Sequence, residues 1–179
     1  MTDVIPPQLK GGTSKTHNAV QRTTHGENED NTHFELMELL FFAYRDFISD
    51  PDQILQNYGF GRAHHRVLHF VLRHPGIRIA ELLDILKITK QSLAGVLKQL
   101  INEGFVYQRE GDNDRRQRLL YVTNKGQKLT ISLAEPQLRR INLALEKSGK
   151  ESKDHLRVLL HNLINASERE QVKRWIGRK

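Results

Sequence analysis

The chain has 179 residues, a length that suits one domain with appendages, and only 37% of them are hydrophobic. It contains no cysteine, which excludes a disulfide framework, a thiolate metal site and a thiol redox switch within this sequence. No window approaches the roughly 18 apolar residues of a membrane span, and no signal-peptide run opens the chain. We therefore expect a soluble, cytoplasmic protein with no membrane partner.

The basic charge is concentrated in the middle of the chain. The net charge is +7, and residues 62–125 hold twelve Lys or Arg against six Asp or Glu. Residues 1–32, in contrast, have a net charge of −1. A concentrated basic segment is typical of a protein that binds a polyanion such as nucleic acid. A solvated basic face is the alternative, and charge alone does not separate the two.

The N-terminal region combines a polar tail with a strongly apolar helix. Residues 1–32 are rich in Thr, Asn, Gly, Gln and Pro and are expected to form a disordered tail. Residues 33–49 carry apolar side chains around most of a helix circumference, so this helix must be covered on most sides, and a second subunit is one candidate for the cover. Pro51 disfavours helix in the residue before it, which predicts that this helix ends at Asp50.

Three helices follow, and a tight turn joins the second to the third. Residues 62–74 and 79–86 show the helical spacing of apolar side chains. A tight connection then leads to Thr89, a good N-cap for a helix that runs to Asn102. Gly104 is expected to stop that helix. Its expected buried stripe consists of Leu93, Val96, Leu97, Leu100 and Ile101.

The spacing then changes to that of strands. Residues 105–110 and 116–123 are rich in aromatic and β-branched side chains and flank the polar loop GDND, which predicts a β-hairpin. A long helix is expected over 124–146, interrupted by Pro136, and a final helix over 154–175. The order of elements predicts a mainly α protein with a small β-hairpin wing, which is a winged helix-turn-helix.

The second helix of such a unit lies in the major groove of DNA, where its N-terminal half meets base edges. Here the exposed face of that helix runs as far as Gln99. Over the first two turns, its side chains are small, polar or basic, and none is acidic. An ordinary surface helix is the alternative, but such helices usually include acids. The expected DNA-binding residues of this helix are Thr89, Lys90, Gln91, Ser92, Ala94, Gly95 and Lys98.

The wing tip, residues 112–118, presents a cluster of arginines. Arginine suits a narrow minor groove, where the negative potential is enhanced, so Arg115, Arg116 and Arg118 are expected to contact DNA. Asp114 is expected to shape the turn and to orient a neighbouring arginine. Without a DNA partner, the same residues would form only a solvated loop.

Two segments carry a resemblance to a known family. The wing segment DRRQRLLYVTNKG, residues 114–126, and the helix-turn-helix segment ELLDILKITKQSLAGVLKQLINEGFV, residues 81–106, occur in the same order and spacing as in that family. Over residues 33–175 the chain resembles the MarR family of dimeric winged-helix transcriptional regulators. The resemblance implies that Arg116 is the family's signature wing arginine, with Asp114 as its partner.

The resemblance also implies an organisation and a function. The expected protein is a homodimeric transcriptional regulator, most often a repressor, that binds a pseudo-palindromic operator in double-stranded DNA and that a small ligand can release. No effector and no ligand residue is assigned. The expected segments are a tail over 1–32, a dimerisation helix and loop over 33–61, the winged helix-turn-helix over 62–123, and C-terminal dimerisation helices over 124–179.

One departure from the family concerns the recognition helix. Two positions that are often Thr and then Arg in the family are Ala94 and Gly95 here. Gly95 has no side chain with which to hydrogen-bond a base, although the methyl group of Ala94 can touch a thymine methyl. Base readout is therefore expected to rest on Lys90, Gln91, Ser92 and Lys98.

Other chemistries have weaker support than DNA binding. His64, His65, His69 and His74 lie on one helix, and His65 and His69 share a face, but no third ligand is evident, so neither a metal site nor a cofactor is expected. No Gly-rich phosphate loop, nucleophile elbow or catalytic carboxylate pair is present, so an enzyme is not expected. The remaining alternative is a low-specificity architectural DNA-binding protein with the same fold.

Overall fold

The computed structural model describes residues 25–111, Asp114 and 116–178. The helices and strands are α1 His25–Gln56, α2 Arg62–Arg73, β1 Ile77–Arg78, α3 Ile79–Leu86, α4 Lys90–Asn102, β2 Val106–Glu110, β3 Arg118–Val122, α5 Asn124–Ser148, α6 Ser152–Leu163 and α7 Arg169–Gly177. A 3₁₀ turn, Ala166–Glu168, separates the last two helices. Internal contacts divide the chain into two units at the boundary between Leu40 and Phe41, inside α1. Within the described ranges, no helix is long and apolar enough to cross a membrane.

Helix α2 lies at the centre of the core. Helices α3, α4 and α5 and strand β3 all pack against it. Its side chains Val67, Leu68 and Val71 are fully buried, which is the spacing of one helical face. The other fully buried leucines come from the elements around it and are Leu55, Leu82, Leu93, Leu100, Leu120 and Leu133. The predicted fold class, a mainly α winged helix-turn-helix with a small β-hairpin wing, is confirmed.

The wing is a three-stranded sheet rather than the two-stranded hairpin that the residue pattern predicts. Strands β2 and β3 pair antiparallel, with Tyr107 opposite Tyr121. Strand β1 adds to the other side of β3, with Ile77 opposite Leu120, so the strand order is β1-β3-β2. Strand β1 cannot be recognised in the sequence, because two residues are too few to show the alternation that identifies a strand.

Helix α1 is longer than predicted at both ends. It begins at His25 and ends at Gln56, so the expectation of a disordered tail over 1–32 is wrong for 25–32, and 1–24 lie outside the described residues. Extending an existing helix is easier than starting one, so the apolar segment carries the helix towards the N-terminus. At the other end, Pro51 is buried and Leu55 is fully buried, and this packing compensates for the hydrogen bond that a proline removes.

The predicted final helix is broken into α6 and α7. The chain becomes extended at Ile164, directly after α6. The guanidinium of Arg169 donates hydrogen bonds to the carbonyl oxygens of Ile164 at 2.9 Å and of Asn162 at 2.6 Å. A side chain from the start of α7 therefore satisfies carbonyl groups that the end of α6 leaves unpaired. Apolar periodicity does not reveal such a break.

The predicted boundaries of α4 are confirmed. The Thr89 side chain accepts the backbone N–H of Ser92 at 3.1 Å, as an N-cap does. Gly104 has a φ of +74°, which is the left-handed conformation favoured by glycine. Its N–H donates to the carbonyl of Ile101 and that of Phe105 donates to Leu100, which is the Schellman pattern of a helix end.

Gly126 allows α5 to approach the wing. A Cβ atom at this position would overlap the backbone carbonyl oxygen of Phe105, whereas nothing lies within 4 Å of a Cβ built at Gly95. We expect Gly126→Ala to destabilise the protein by about 1–3 kcal/mol or more, because the backbone must shift to remove the overlap. The control Gly95→Ala should stabilise it by up to about 1 kcal/mol, because alanine favours helix. Urea denaturation of both variants measures the contrast.

Glu81 connects three parts of the chain. Its Oε2 accepts hydrogen bonds from the backbone N–H of Arg78 at 2.9 Å and from Arg78 Nε at 3.0 Å. Its Oε1 accepts a hydrogen bond from the guanidinium of Arg178 at 3.2 Å. Burial by itself would raise the pKa of Glu81, but the hydrogen bonds from Arg78 and Arg178 lower it to about 2.

This pKa predicts the pH dependence of stability. The pKa of Glu81 in the folded protein lies below its ordinary value of 4.5. The stabilisation that ionised Glu81 contributes is therefore complete above pH 4.5 and is lost as the pH falls towards 2. We expect Glu81→Gln to lower the free energy of unfolding at pH 7 by about 1–3 kcal/mol. The difference from the wild type should shrink below pH 4.5. Urea denaturation at pH 7 and pH 3 measures it, with the exposed Glu146→Gln as control; a pH-independent difference would contradict the assignment.

Candidate nucleic-acid interface

The turn between α3 and α4 has a special backbone conformation. Lys87 adopts the left-handed conformation, with a φ of +53°. Among the described residues, every other residue with a positive φ is a glycine. Arg66, on α2, donates a hydrogen bond to the carbonyl oxygen of Leu86 at 3.1 Å. Lys87 Nζ forms an ion pair with Glu168 at 3.0 Å. Side chains from outside the helix-turn-helix therefore hold its turn, and no local sequence signal indicates either contact.

Helix α4 has two distinct faces. Leu93, Leu97 and Leu100 are buried against the core. The exposed side chains on the opposite face are Lys90, Gln91, Ala94 and Lys98, and Gly95 is exposed with them. The first turn contains no acid. The positive end of the helix dipole and the lysines therefore both attract negative charge. This face can approach a negatively charged duplex without repulsion.

Thr89 and Ser92 are engaged with each other as well as exposed. Thr89 Oγ1 accepts the backbone N–H of Ser92 and donates to Ser92 Oγ at 2.8 Å. Their predicted role in DNA binding is therefore combined with a structural role, which is to begin the helix. The Ser92 hydroxyl keeps its own hydrogen, which can still be donated to a base or a phosphate.

Gln99 lies differently from the expectation. The helical pattern assigns it to the exposed face of α4, but it is half-buried, and its Oε1 lies 2.9 Å from His64 Nε2. The backbone N–H of Gly61 donates to His64 Nδ1 at 3.1 Å, which assigns the ring proton to Nε2. Gln99 Nε2 donates in turn to Glu103 at 3.0 Å. This array joins the start of α2 to the second half of α4.

The loop of the wing is held by Asp114. Its Oδ1 accepts the backbone N–H of Arg116 at 2.9 Å, and its carbonyl oxygen accepts the N–H of Gln117 at 2.9 Å. The family resemblance makes Asp114 the partner of the Arg116 side chain, whereas the carboxylate binds the backbone. Three predicted wing-tip residues, Asp112, Asn113 and Arg115, lie outside the described part of the chain.

The two described arginines of the wing tip, residues 112–118, differ in availability. Arg118 Nη1 lies 2.8 Å from Glu110 Oε1 in a cross-strand ion pair. Arg116 is exposed, and its guanidinium has no ion-pair partner among the residues that the structure describes. Arg116 is therefore free to contact a phosphate or a base edge. Arg118, in contrast, must break its ion pair with Glu110 or divide its hydrogen bonds between Glu110 and the DNA.

The histidines of α2 lie in different surroundings. Burial lowers the pKa of His65 and of His69. The neighbouring His69 lowers the pKa of His65 further, and Arg73 lowers the pKa of His69 further. Both side chains therefore favour the neutral form at pH 7. Across the described ranges, no three His, Asp or Glu side chains are grouped in a way that could hold a metal ion.

Comparisons with known proteins agree with this geometry. Residues 58–117 match the model of the MarR family. The HTH-type transcriptional regulator PetP of Rhodobacter capsulatus is 41% identical over 133 residues, which cover 74% of this chain and 80% of PetP. The chain belongs to the MarR family. As a member of this family, it is a DNA-binding transcriptional regulator.

Solved MarR-type structures share the fold. A crystal structure of MarR is 22% identical to this chain, with a TM-score of 0.53. The match covers 72% of this chain and 92% of the MarR chain. A mutant of MepR from S. aureus, solved bound to an oligodeoxyribonucleotide, is 15% identical to this chain, with a TM-score of 0.53. The match covers 72% of this chain and 95% of the MepR chain. At these identities the likeness concerns the winged-helix fold.

Proposed function

We propose that this MarR-family protein is a homodimeric, sequence-specific repressor that places residues 89–98 in the major groove and the wing tip, residues 112–118, beside the duplex. The observation that carries this proposal is the exposed face of α4, which is basic and free of acids in its first turn. A helix packed on its other face by three buried leucines is rigid enough to present that face in one orientation.

The exposed side chains divide into base readers and phosphate contacts. Gln91 can pair with adenine through two hydrogen bonds, and Lys90 or Lys98 can donate to guanine or to phosphate. Ala94 offers only a methyl group, and Gly95 offers only backbone. With so few hydrogen-bonding groups in the middle of the helix, part of the specificity is expected to come from the shape of the DNA. The free guanidinium of Arg116 suits a narrow minor groove, and Asp114 fixes the loop that carries it.

The dimer would be built from apolar surfaces that a single chain leaves exposed. On α1, eight large apolar side chains are 43% exposed or more: Phe34, Leu36, Met37, Leu39, Leu40, Phe41, Phe42 and Tyr44. On α6, five are 39% exposed or more: Leu156, Val158, Leu159, Leu160 and Leu163. Exposed apolar surfaces of this extent mark interfaces. We assign dimerisation to residues 33–61 and 124–179 and DNA binding to 62–123.

A two-fold dimer determines the form of the operator. The two recognition helices would meet half-sites about one helical turn apart, so the operator would be an inverted repeat. Repression by occupying a promoter requires no catalysis, and the family gives no reason to expect an enzyme. The site of action is the cytoplasm, where bacterial-type operators are accessible, and a small ligand would release the protein from DNA.

The alternative is a low-specificity architectural protein with the same fold. Ala94 and Gly95 favour it, because they leave the centre of the recognition helix without hydrogen-bonding side chains. Selection of bound duplexes from a randomised pool separates the two functions. Enrichment of an inverted repeat is expected for the repressor. A pool that stays random, or that enriches only bendable sequences, would support the architectural protein.

A further inference from the structure

The C-terminal helix α7 is joined to both ends of α3, the first helix of the helix-turn-helix. Glu168, directly before α7, forms an ion pair with Lys87, directly after α3, at 3.0 Å. Arg178, directly after α7, donates a hydrogen bond to Glu81, in the first turn of α3, at 3.2 Å. The end of one helix is thus paired with the start of the other at both places, so α7 and α3 run antiparallel.

Aromatic packing holds α7 against the winged unit. The Trp175 ring is half-buried against the core and meets the His74 ring of α2 edge to face, with centroids 5.3 Å apart. The guanidinium of Arg178 lies over the Trp175 ring at 5.4 Å. The ion pair between Lys87 and Glu168 is partly exposed, and pairs of this kind add little to stability. The tryptophan therefore keeps α7 in place, and the ion pairs determine its position along α3.

Lys87 is the strained residue of the connection between α3 and α4. The left-handed conformation is unfavourable for a lysine and persists where the surrounding contacts determine it. The backbone N–H of Lys87 donates to the carbonyl oxygen of Leu83 at 2.9 Å, which ends α3, and the side chain is held by Glu168. Glycine would adopt this conformation without strain but has no side chain that could reach Glu168. The lysine therefore links the angle between α3 and α4 to the position of α7.

We propose that Lys87 and Glu168 are positioning residues for DNA recognition, and that α7 sets the orientation of α4 through this ion pair. The contact between Arg178 and Glu81 holds α7 at the other end of α3. Sequence-specific binding needs the exposed face of α4 in one orientation, whereas attraction to phosphates does not. A loosened turn therefore weakens binding to the operator more than binding to other DNA. This effect on DNA rests on the proposed function, whereas the orientation of α4 in the free protein does not.

The ratio of two affinities, for the best duplex from the randomised pool and for a scrambled duplex, tests the role of the ion pair. We expect Lys87→Gly and Glu168→Gln each to lower this ratio about three- to tenfold. Because both act through one contact, the double variant should lower it no further than Lys87→Gly alone. The matched control Glu146→Gln removes an exposed carboxylate from α5 and should leave the ratio unchanged. Fluorescence anisotropy measures all of these affinities.

Charge and stability predict different results for the same variants. If the charge of Glu168 alone mattered, Glu168→Gln would strengthen binding to both duplexes alike and leave their ratio unchanged. If Lys87 served only stability, Lys87→Gly would change the melting temperature and not the ratio. We expect instead a melting temperature close to that of the wild type, because glycine relieves the left-handed strain while the exposed ion pair is lost. An unchanged ratio, or additive losses in the double variant, would overturn the proposal.

A measurement without DNA separates this proposal from the proposed function. In ¹H–¹⁵N NMR spectra of the free protein, Glu168→Gln should shift the backbone amide signals of α4, Lys90–Asn102, whereas Glu146→Gln should not. If the wild type prefers no duplex, the proposed function fails, and these spectra alone decide whether α7 orients α4. Signals of α4 that stay in place in Glu168→Gln would overturn the proposal.

Discussion

Arg116→Ala is expected to weaken specific DNA binding by about 1–3 kcal/mol, because Arg116 is the described wing-tip arginine whose guanidinium has no ion-pair partner among the described residues. The substitution removes a cation and up to five hydrogen-bond donors from the tip of the wing. It leaves the loop intact, since Asp114 holds the backbone N–H of residue 116 and not the side chain. Fluorescence anisotropy with a labelled operator, at fixed ionic strength, measures the change in dissociation constant.

The control for Arg116→Ala is Lys153→Ala, which removes one exposed positive charge from α6, far in sequence from the wing. Loss of a phosphate contact weakens binding to all DNA and reduces the salt dependence by about one counterion, whereas loss of a base contact weakens only the operator complex. An affinity of Arg116→Ala equal to that of the control would remove the wing arginine from the interface.

Leu159→Glu is expected to convert the dimer into a folded monomer at micromolar concentration. Leu159 is 58% exposed in the single chain, so its replacement does not touch the core. In a dimer, the new carboxylate would be buried among apolar side chains, and a buried charge without a partner costs several kcal/mol. Because the two half-sites are bound together, operator affinity should fall by about a hundredfold or more. Sedimentation velocity and anisotropy measure the two effects.

Arg157→Glu is the matched control, since it places a carboxylate at an exposed position of the same helix. It should remain dimeric and should bind the operator like the wild type, because residues two apart, such as Arg157 and Leu159, point to different sides of a helix. A Leu159→Glu protein that sediments as a dimer would exclude this surface from the interface. A wild type that sediments as a monomer would leave the exposed apolar side chains of α1 and α6 without an explanation.

The recognition helix and its limits can be predicted from the sequence because the signals are local. Thr89 and Gly104 stand directly at the ends of α4, and the leucine stripe between them has a single period. The wing strands are likewise evident from the change of period. The side of α4 that faces outward follows from the same stripe, so the residue pattern alone is enough to name most of its exposed side chains.

The contacts that orient the helix-turn-helix cannot be predicted in this way because they join residues far apart in sequence. Arg66 reaches Leu86, and Lys87 reaches Glu168 across 81 positions of the chain. The amphipathic pattern of α4 assigns Gln99 to the exposed face, but His64 draws it inward. Pro51 predicts the end of α1, yet the burial of its neighbours outweighs the local preference. Tertiary packing decides each of these cases.

The most direct test of sequence-specific repression by this MarR-family protein is the ratio of its affinities for two duplexes. Fluorescence anisotropy would compare the best duplex from the randomised pool with a scrambled duplex of the same length and composition, over a salt series. Specific readout by α4 and the wing predicts a preference of at least about a thousandfold at physiological salt. Equal affinity for both duplexes, lost in parallel as the salt concentration rises, would contradict it and would identify a non-specific DNA-binding protein.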